Sequence, residues 1–163
     1  MKIVFIVEKT PRVAAAIKKI ASGQGARPNA LICDSADFGG AEEADLIVVG
    51  DIGGGAGKLA LPESGKLSAV ILGVANFRRL IFPGGPGVQA ITCGMGEKDT
   101  FIFSSANIGD GEAILSLQRS ITDINGRKIE PFERKVRIPE AALGEEEGDL
   151  IIALAALVFC AAI

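Results

Sequence analysis

The apolar residues of the N-terminal half occur in short continuous runs rather than in alternation with polar residues. Lys2–Val7 is rich in β-branched residues, and comparable runs follow at Ala30–Cys33, Leu46–Val49, Ala69–Val74 and Gln89–Cys93. Runs of this kind are typical of strands buried on both faces, as in a parallel sheet covered by other layers. We therefore predict that these segments form an open parallel sheet.

A helical pattern separates the first two of these runs. Val13, Ile17 and Ile20 recur at helical spacing, and Ser22-Gly23 marks the end of the pattern. Thr10-Pro11 provides a predicted N-cap followed by proline at the first helical position. The chain is therefore expected to begin as strand, helix, strand.

Beyond Gly94 the apolar runs become shorter and are flanked by charged residues. Three strands are predicted there, at Thr100–Ser104, Ala113–Gln118 and Val136–Ile138. Asp110-Gly111 and Asn125-Gly126 are hairpin signals, because these residue types tolerate positive φ. We predict an antiparallel meander over Phe101–Ile138. Pro131 places its last segment at a sheet edge, or makes it begin after the proline.

The last apolar run, Leu150–Ile163, contains no charged residue. A membrane span needs about 20 apolar residues, so we predict a buried helix without a membrane span; a short membrane-associated tail is the alternative. Asp149 is the predicted N-cap, and the acidic segment Gly144–Gly148 precedes it. A helix that is apolar nearly all round requires burial on more than one side, which a homodimer could supply.

Together these elements predict one α/β domain over residues 1–163. It would comprise a short parallel α/β part at 1–93 flanked by helices, an antiparallel extension at 94–139, and an apolar C-terminal helix at 149–163. A chain of this length can bury a sizeable core. With no tryptophan, no tyrosine and eight phenylalanines, that core must consist mainly of aliphatic side chains.

Composition excludes several classes of function. The net charge of −3, with no basic stripe, gives no support for a nucleic-acid partner. The absence of histidine removes Ser-His and Cys-His catalysis and histidine metal ligands. Cys33, Cys93 and Cys160 are far apart, so we expect buried thiols in a reducing compartment. Met1–Val7 is too short for a signal peptide, which favours a cytoplasmic location.

The glycine-rich segment Gly50–Lys58 is the candidate cofactor-binding loop, although no particular cofactor is indicated. Its candidate residues are Asp51, Gly53, Gly54, Gly55, Gly57 and Lys58. It follows a strand, but the glycine spacing differs from that of a phosphate loop, and Leu59 stands where a magnesium-binding hydroxyl belongs. The alternatives are an anion-binding nest of backbone N–H groups and a surface loop without a ligand. Neither a catalytic residue nor a metal ligand can be assigned.

Glu8 and Asp51 both follow strands at the expected carboxyl edge of the sheet, where open α/β sheets place their ligands. The stretch from Ala44 to Ile52 resembles the phosphoacceptor strand of a response-regulator receiver. A receiver has two adjacent acids after its first strand, whereas Glu8 is followed by Lys9. A receiver-like signalling domain that uses Asp51 is therefore one hypothesis.

The block Ala90–Ile108 resembles the end of the central domain of Mur ligases, the ATP-dependent amino-acid ligases of peptidoglycan synthesis. Gly87–Gly94 is similar to the strand and turn of that family, and Phe101–Ile138 is similar to its small antiparallel sheet. Val136–Pro139 followed by Leu150–Ala162 resembles its strand, loop and alanine-rich helix. The resemblance covers roughly the last 75 residues.

The sequence departs from the family at the groups that would bind ATP. The family's phosphate loop, magnesium-binding acids and modified lysine have no identifiable counterpart. Gly144–Gly148 replaces its His-Asn pair, and its C-terminal domain is not matched. We therefore expect a non-catalytic module that binds a nucleotide, a cell-wall precursor or a partner protein, with homo-oligomerisation as one form of partnership. The alternative is a subunit that completes the substrate site of a multi-chain ATP-dependent ligase.

Overall fold

A computed structural model describes residues 1–54, 57–63, 65–82 and 87–163. In chain order its strands are β1 Lys2–Val7, β2 Ala30–Ser35, β3 Leu46–Val49, β4 Leu59–Ala60, β5 Ala69–Gly73, β6 Leu80–Ile81, β7 Gln89–Gly94, β8 Phe101–Asn107, β9 Glu112–Leu117, β10 Ile121–Thr122, β11 Lys128–Ile129 and β12 Phe132–Arg137. The α-helices are α1 Arg12–Gly23, α2 Val74–Phe77 and α3 Glu147–Phe159. Short 3-10 helices lie at Ala41–Glu43, Ile108–Asp110 and Glu140–Ala142.

In the described part of the chain, eight strands form one mixed sheet in the order β12-β9-β8-β7-β5-β3-β1-β2. The strands from β2 to β8 in this order are parallel to one another. The pairs β8–β9 and β9–β12 are antiparallel. This arrangement confirms the predicted α/β class, with a mostly parallel sheet, helices packed against it and an antiparallel extension.

The continuous apolar runs predicted the positions of the central strands accurately. β1 and β3 occupy the predicted ranges Lys2–Val7 and Leu46–Val49. The last four residues of β1 and all of β3 are buried, which accounts for their continuous apolar runs. β12 begins directly after Pro131 and is the edge strand of the extension. The edge position is the one that a proline at the start of the segment favours.

The antiparallel meander predicted over Phe101–Ile138 is present, with a separate hairpin inserted into it. The sheet of the meander consists of β8, β9 and β12, whereas the turn at Asn125-Gly126 belongs to a separate hairpin of β10 and β11. The turn at Asp110-Gly111 does connect two strands of the extension, β8 and β9, as predicted. The extension also continues the main sheet, because Cys93 pairs with Phe101 across the β7–β8 boundary.

The two faces of the sheet are covered by different layers. Alternate residues of the central strands pack against α1 and α3 on one face. On the other face, residues such as Phe5, Ile47 and Val70 pack beneath the 3-10 turn at Ala41–Glu43 and the short β4–β6 pair. The sheet thus lies between a helical layer and a thinner layer of loops and short strands.

Helix α3 is buried on all sides within one chain. Every residue from Asp149 to Phe159 is buried, and the helix packs against α1 and against β5, β7 and β8. The burial that the sequence suggested a homodimer would supply is therefore met by the chain's own elements. In the ranges that the structure describes, no helix is both long and apolar enough to cross a membrane.

Candidate functional site

The strands β1, β3, β5 and β7 end at one edge of the sheet, because they run parallel to one another. The chain moves from β1 outward to β2, then returns to the opposite side of β1 to form β3. Such a reversal leaves a crevice at the carboxyl edge, where open α/β sheets bind ligands. The polar residues that follow these strands are consequently the first candidates for a site.

Glu8, which follows β1, has a structural role at this edge. Its carboxylate accepts the backbone N–H groups of Val13 at 2.8 Å and Ala14 at 3.0 Å, and it is buried. These are free amides of the first turn of α1. Burial raises the pKa of Glu8, and the two amides oppose that rise. The predicted cap, Thr10, makes no side-chain capping bond, because the first helical residue is Arg12 and the cap position falls on Pro11.

The glycine-rich loop after β3 is shaped by contacts at its beginning. A side chain at Gly50 would lie 2.7 Å from Oε2 of Glu8, so this position requires glycine. The next residue, Asp51, accepts the N–H of Gly53 on Oδ1 at 2.8 Å. The N–H of Gly53 therefore donates to a carboxylate of the same chain rather than to a ligand.

The remaining candidate residues of the loop are not brought together by described contacts. Gly54 and Gly57 face open space, and Lys58 is exposed. Gly55 lies outside the described residues. The predicted cofactor-binding role of Asp51, Gly53, Gly54, Gly55, Gly57 and Lys58 stays a prediction.

A cleft of about 480 Å³ opens between the carboxyl ends of β5 and β7 and the first turn of α3. Its polar lining side chains are Arg12, Asp51, Asn76, Glu146, Glu147 and Asp149. Its apolar lining includes Met95, Phe103, Ile151 and Ile152. The fold thus brings residues that are far apart in sequence to one concave surface.

Two contacts shape the rim of this cleft. Asn76 donates from Nδ2 to the carbonyl oxygen of Gly50 at 2.9 Å, which ties α2 to the loop after β3. Arg12 at the start of α1 pairs with Glu146 at 3.2 Å between Nη1 and Oε1, and both side chains are exposed. The starts of two helices are therefore linked across the cleft.

Asp149 is the most unusual residue of the cleft. It lies inside the first turn of α3, so the predicted N-cap role was wrong, and Glu146 occupies the cap position. The residue is only 8% exposed, and its Oδ2 accepts no hydrogen bond from the described residues. Burial raises the pKa of Asp149, the charge of Glu146 adds to the rise, and Arg12 opposes it.

The two buried cysteines show no sign of reactivity. All three are free, and Cys93 and Cys160 are buried as expected, whereas Cys33 is partly exposed. Burial raises the pKa of Cys160 to about 12, and it also raises the pKa of Cys93, with the charge of Asp99 adding to the rise. The thiolate is the reactive form of cysteine, so neither buried thiol is a ready nucleophile.

The sequence pattern indicated Asp51 as a candidate but not its neighbours in the cleft. Arg12, Asn76, Met95 and Asp149 belong to different elements, and only the packing of α1, α2 and α3 at one edge places them together. The acidic segment Gly144–Gly148 before α3 was the sequence feature that could have indicated this cleft. No group of three or more acidic or cysteine residues in the described ranges could hold a metal ion.

The chain matches no protein-family model and none of the curated proteins compared with it. The resemblance to Mur ligases is therefore still a prediction from the residues that carry it.

Proposed function

We propose that this chain is a non-catalytic binding module whose ligand site is the cleft at the carboxyl edge of the sheet. The observation that supports this proposal best is the buried Oδ2 of Asp149, which lacks a hydrogen-bond partner among the described residues. Buried polar atoms are almost always paired in folded proteins, and the exceptions concentrate at sites with a function. A bound ligand would supply the missing donor.

The size and position of the cleft support the same proposal. Its volume of about 480 Å³ falls within the range of roughly 300–1,000 Å³ that is usual for small-molecule sites. Apolar side chains dominate its walls, and a few polar groups converge on it, which is the usual composition of such sites.

The residues of the cleft favour binding over catalysis. With no histidine in the sequence, the cleft lacks the usual general acid and base. Cys93 lines the cleft, but its thiol has a raised pKa and is buried. No hydroxyl side chain is among the described residues that line the cleft, so its residues are suited to binding a molecule rather than to nucleophilic catalysis.

The ligand classes suggested by the Mur-ligase resemblance are nucleotides and cell-wall precursors. Magnesium-ATP, UDP, UDP-N-acetylmuramic acid and its peptide derivatives therefore form the first panel. The four carboxylates that line the cleft oppose a bare phosphate group. Within this class we consequently favour a precursor whose peptide part, rather than its phosphate groups, enters the cleft.

The panel is tested by a thermal-shift titration combined with ¹⁵N-resolved NMR spectra. A ligand at 100 times its dissociation constant adds about 2.7 kcal/mol to the free energy of unfolding, and it should shift the amide signals of Gly94 and Gly148. Ala75 lines the cleft and is exposed, so Ala75→Phe should block binding without unfolding the chain. Ala36→Phe, at an exposed alanine outside the cleft, is the matched control. Equal binding by both variants would reject the cleft as the site.

Two other hypotheses stay predictions from the sequence. A ligase subunit should show activity only with a co-purifying partner protein. A receiver-like domain should be labelled by acetyl phosphate in magnesium, and Asp51→Asn should abolish the label. Since Glu8 caps α1, it is not free to assist Asp51 as a magnesium ligand.

A further inference from the structure

The cleft has a charge pattern that restricts what it can bind. Four carboxylates line it, those of Asp51, Glu146, Glu147 and Asp149. Among its described lining residues, Arg12 carries the only positive charge, and this guanidinium already pairs with Glu146. The charges of the lining side chains therefore favour a cation over an anion.

The unpaired oxygen of Asp149 requires a hydrogen-bond donor. An ionised carboxylate only accepts hydrogen bonds, and Oδ2 accepts none from the described residues. Asn76 adds a second acceptor through its amide oxygen, while its Nδ2 donates one of its two N–H groups to the Gly50 carbonyl. A ligand that fits these groups presents several donors and a positive charge.

The remaining wall of the cleft is apolar. Met95 is 86% exposed at its rim, and Phe103, Ile151 and Ile152 form the side. Methionine adapts its shape to varied apolar surfaces. A ligand that buries an apolar group against these side chains gains roughly 25 cal/mol for each Å² removed from water.

Resting on the binding function proposed above, we propose that the cleft takes an organic ammonium ion that carries an apolar group. The ammonium donates to Asp149 and lies in the field of Asp51, while the apolar group packs on Met95 and Phe103. An ammonium has three donors in a compact head, and one buried carboxylate can anchor it. A metal ion needs several ligands in a fixed geometry, and no such group occurs among the described residues.

The test compares four probes of matched shape or charge by NMR titration near pH 7. These are 2-phenylethylamine, its neutral analogue 2-phenylethanol, the anion 3-phenylpropionate, and methylammonium, which lacks the apolar group. We expect 2-phenylethylamine to bind at least tenfold more tightly than each of the others. Its titration should shift the amides of Gly94, Gly148 and Ile151.

Two variants assign the preference to Asp149. Asp149→Asn should bring the affinities for 2-phenylethylamine and 2-phenylethanol to within about twofold of each other. Glu133→Gln removes a carboxylate from β12, outside the cleft, and should leave the tenfold preference unchanged. The amide spectrum of each variant checks that it is folded before the titration.

Each contrary outcome has a distinct meaning. If the alcohol or the carboxylate binds in the cleft as tightly as the amine, the ammonium proposal is overturned while the cleft remains a ligand site. If magnesium chloride alone shifts the same amides at lower concentration than the amine, the site is a metal site and the proposal is also overturned. If neither these probes nor the nucleotide and precursor panel shifts the cleft amides, both proposals fail.

Discussion

The carboxylate of Glu8 accepts the backbone N–H of Val13 at 2.8 Å, five residues ahead of it in the chain. A strand-end acid thereby caps the following helix, and the same carboxylate also accepts the N–H of Ala14. A negative charge at this point complements the dipole of α1. These hydrogen bonds consequently hold the end of β1 against the start of α1, at the edge where the cleft opens.

Glu8→Ala should lower the free energy of unfolding by about 1–3 kcal/mol, because the buried N–H of Val13 and the partly buried N–H of Ala14 lose their acceptor. Urea denaturation of the purified variant measures this loss. Thr10→Ala is the matched control, since the exposed Thr10 has no capping bond, and its effect should stay within about 0.5 kcal/mol. Equal losses for the two variants would show that Glu8 does not cap α1.

Asp149→Ala should raise the free energy of unfolding near pH 7 by about 1 kcal/mol. The substitution removes a buried acceptor without a partner, which costs roughly 1–3 kcal/mol, and forfeits a helix-dipole interaction of about 0.3–1 kcal/mol. Glu147→Ala, in the same turn but exposed, has only the second effect and should be slightly destabilising. A loss of stability in Asp149→Ala would mean that the carboxylate is satisfied in the free protein.

The gain from Asp149→Ala should depend on pH in a definite direction. Since the folded-state pKa lies above the ordinary value of 3.8, the folded wild type binds the proton more tightly than the unfolded chain. Protonation of Asp149 therefore stabilises the wild type below pH 3.8, and this stabilisation is lost as the pH rises through the folded pKa. The variant's advantage should shrink toward acid pH.

Several charged neighbours also change the pKa of Asp149, so the pH experiment must control for their titration. Glu145, Glu146 and Asp51 raise the pKa of Asp149, and Arg12 lowers it; in turn, Asp149 raises the pKa of Glu8. The comparison is therefore the difference between wild type and variant across pH, measured by thermal unfolding. An advantage that is constant from pH 3 to pH 7 would contradict the assignment.

Leu154→Ala should cost about 2–5 kcal/mol, because this side chain is fully buried in the middle of α3 and its removal leaves a cavity. Leu154→Lys should prevent folding, since an unpaired charge would be buried. Leu31→Ala makes the same chemical change at a side chain that is 46% exposed on β2, and its cost should be well under half as large. Circular dichroism during urea unfolding compares the three variants.

Gly94→Ala should disturb the turn that presents Met95 to the cleft. The added carbon would lie 2.4 Å from Oδ2 of Asp99, which now accepts the N–H of Gly96 at 2.9 Å. We expect a loss of about 1–3 kcal/mol, from overpacking against the buried Asp99, and weaker binding of 2-phenylethylamine. Gly54→Ala meets nothing within 4 Å and is the control. An unchanged melting temperature in Gly94→Ala would reject the tight contact.

The sequence predicted the sheet better than the site, for a physical reason. Burial on both faces imposes continuous apolar runs, so β1 and β3 were found at their observed bounds. Helix capping depends on which side-chain acceptor reaches the free amides of the first turn. The residue types at Thr10 and Asp149 suggested helix caps, but neither residue occupies the cap position in the structure. The cleft depends on tertiary packing, because Asp149 approaches Asp51 only when α3 lies across the sheet.

The position of α3 in the chain also has a consequence for biosynthesis. A chain grown on the ribosome to residue 146 already contains α1 and all the described strands, but it lacks the helix that covers their apolar face. Because domains form their cores during or after synthesis, this nascent chain must carry an open apolar surface until α3 emerges. That surface is one a chaperone would recognise, and a pause of translation before residue 147 should increase aggregation of the newly made protein.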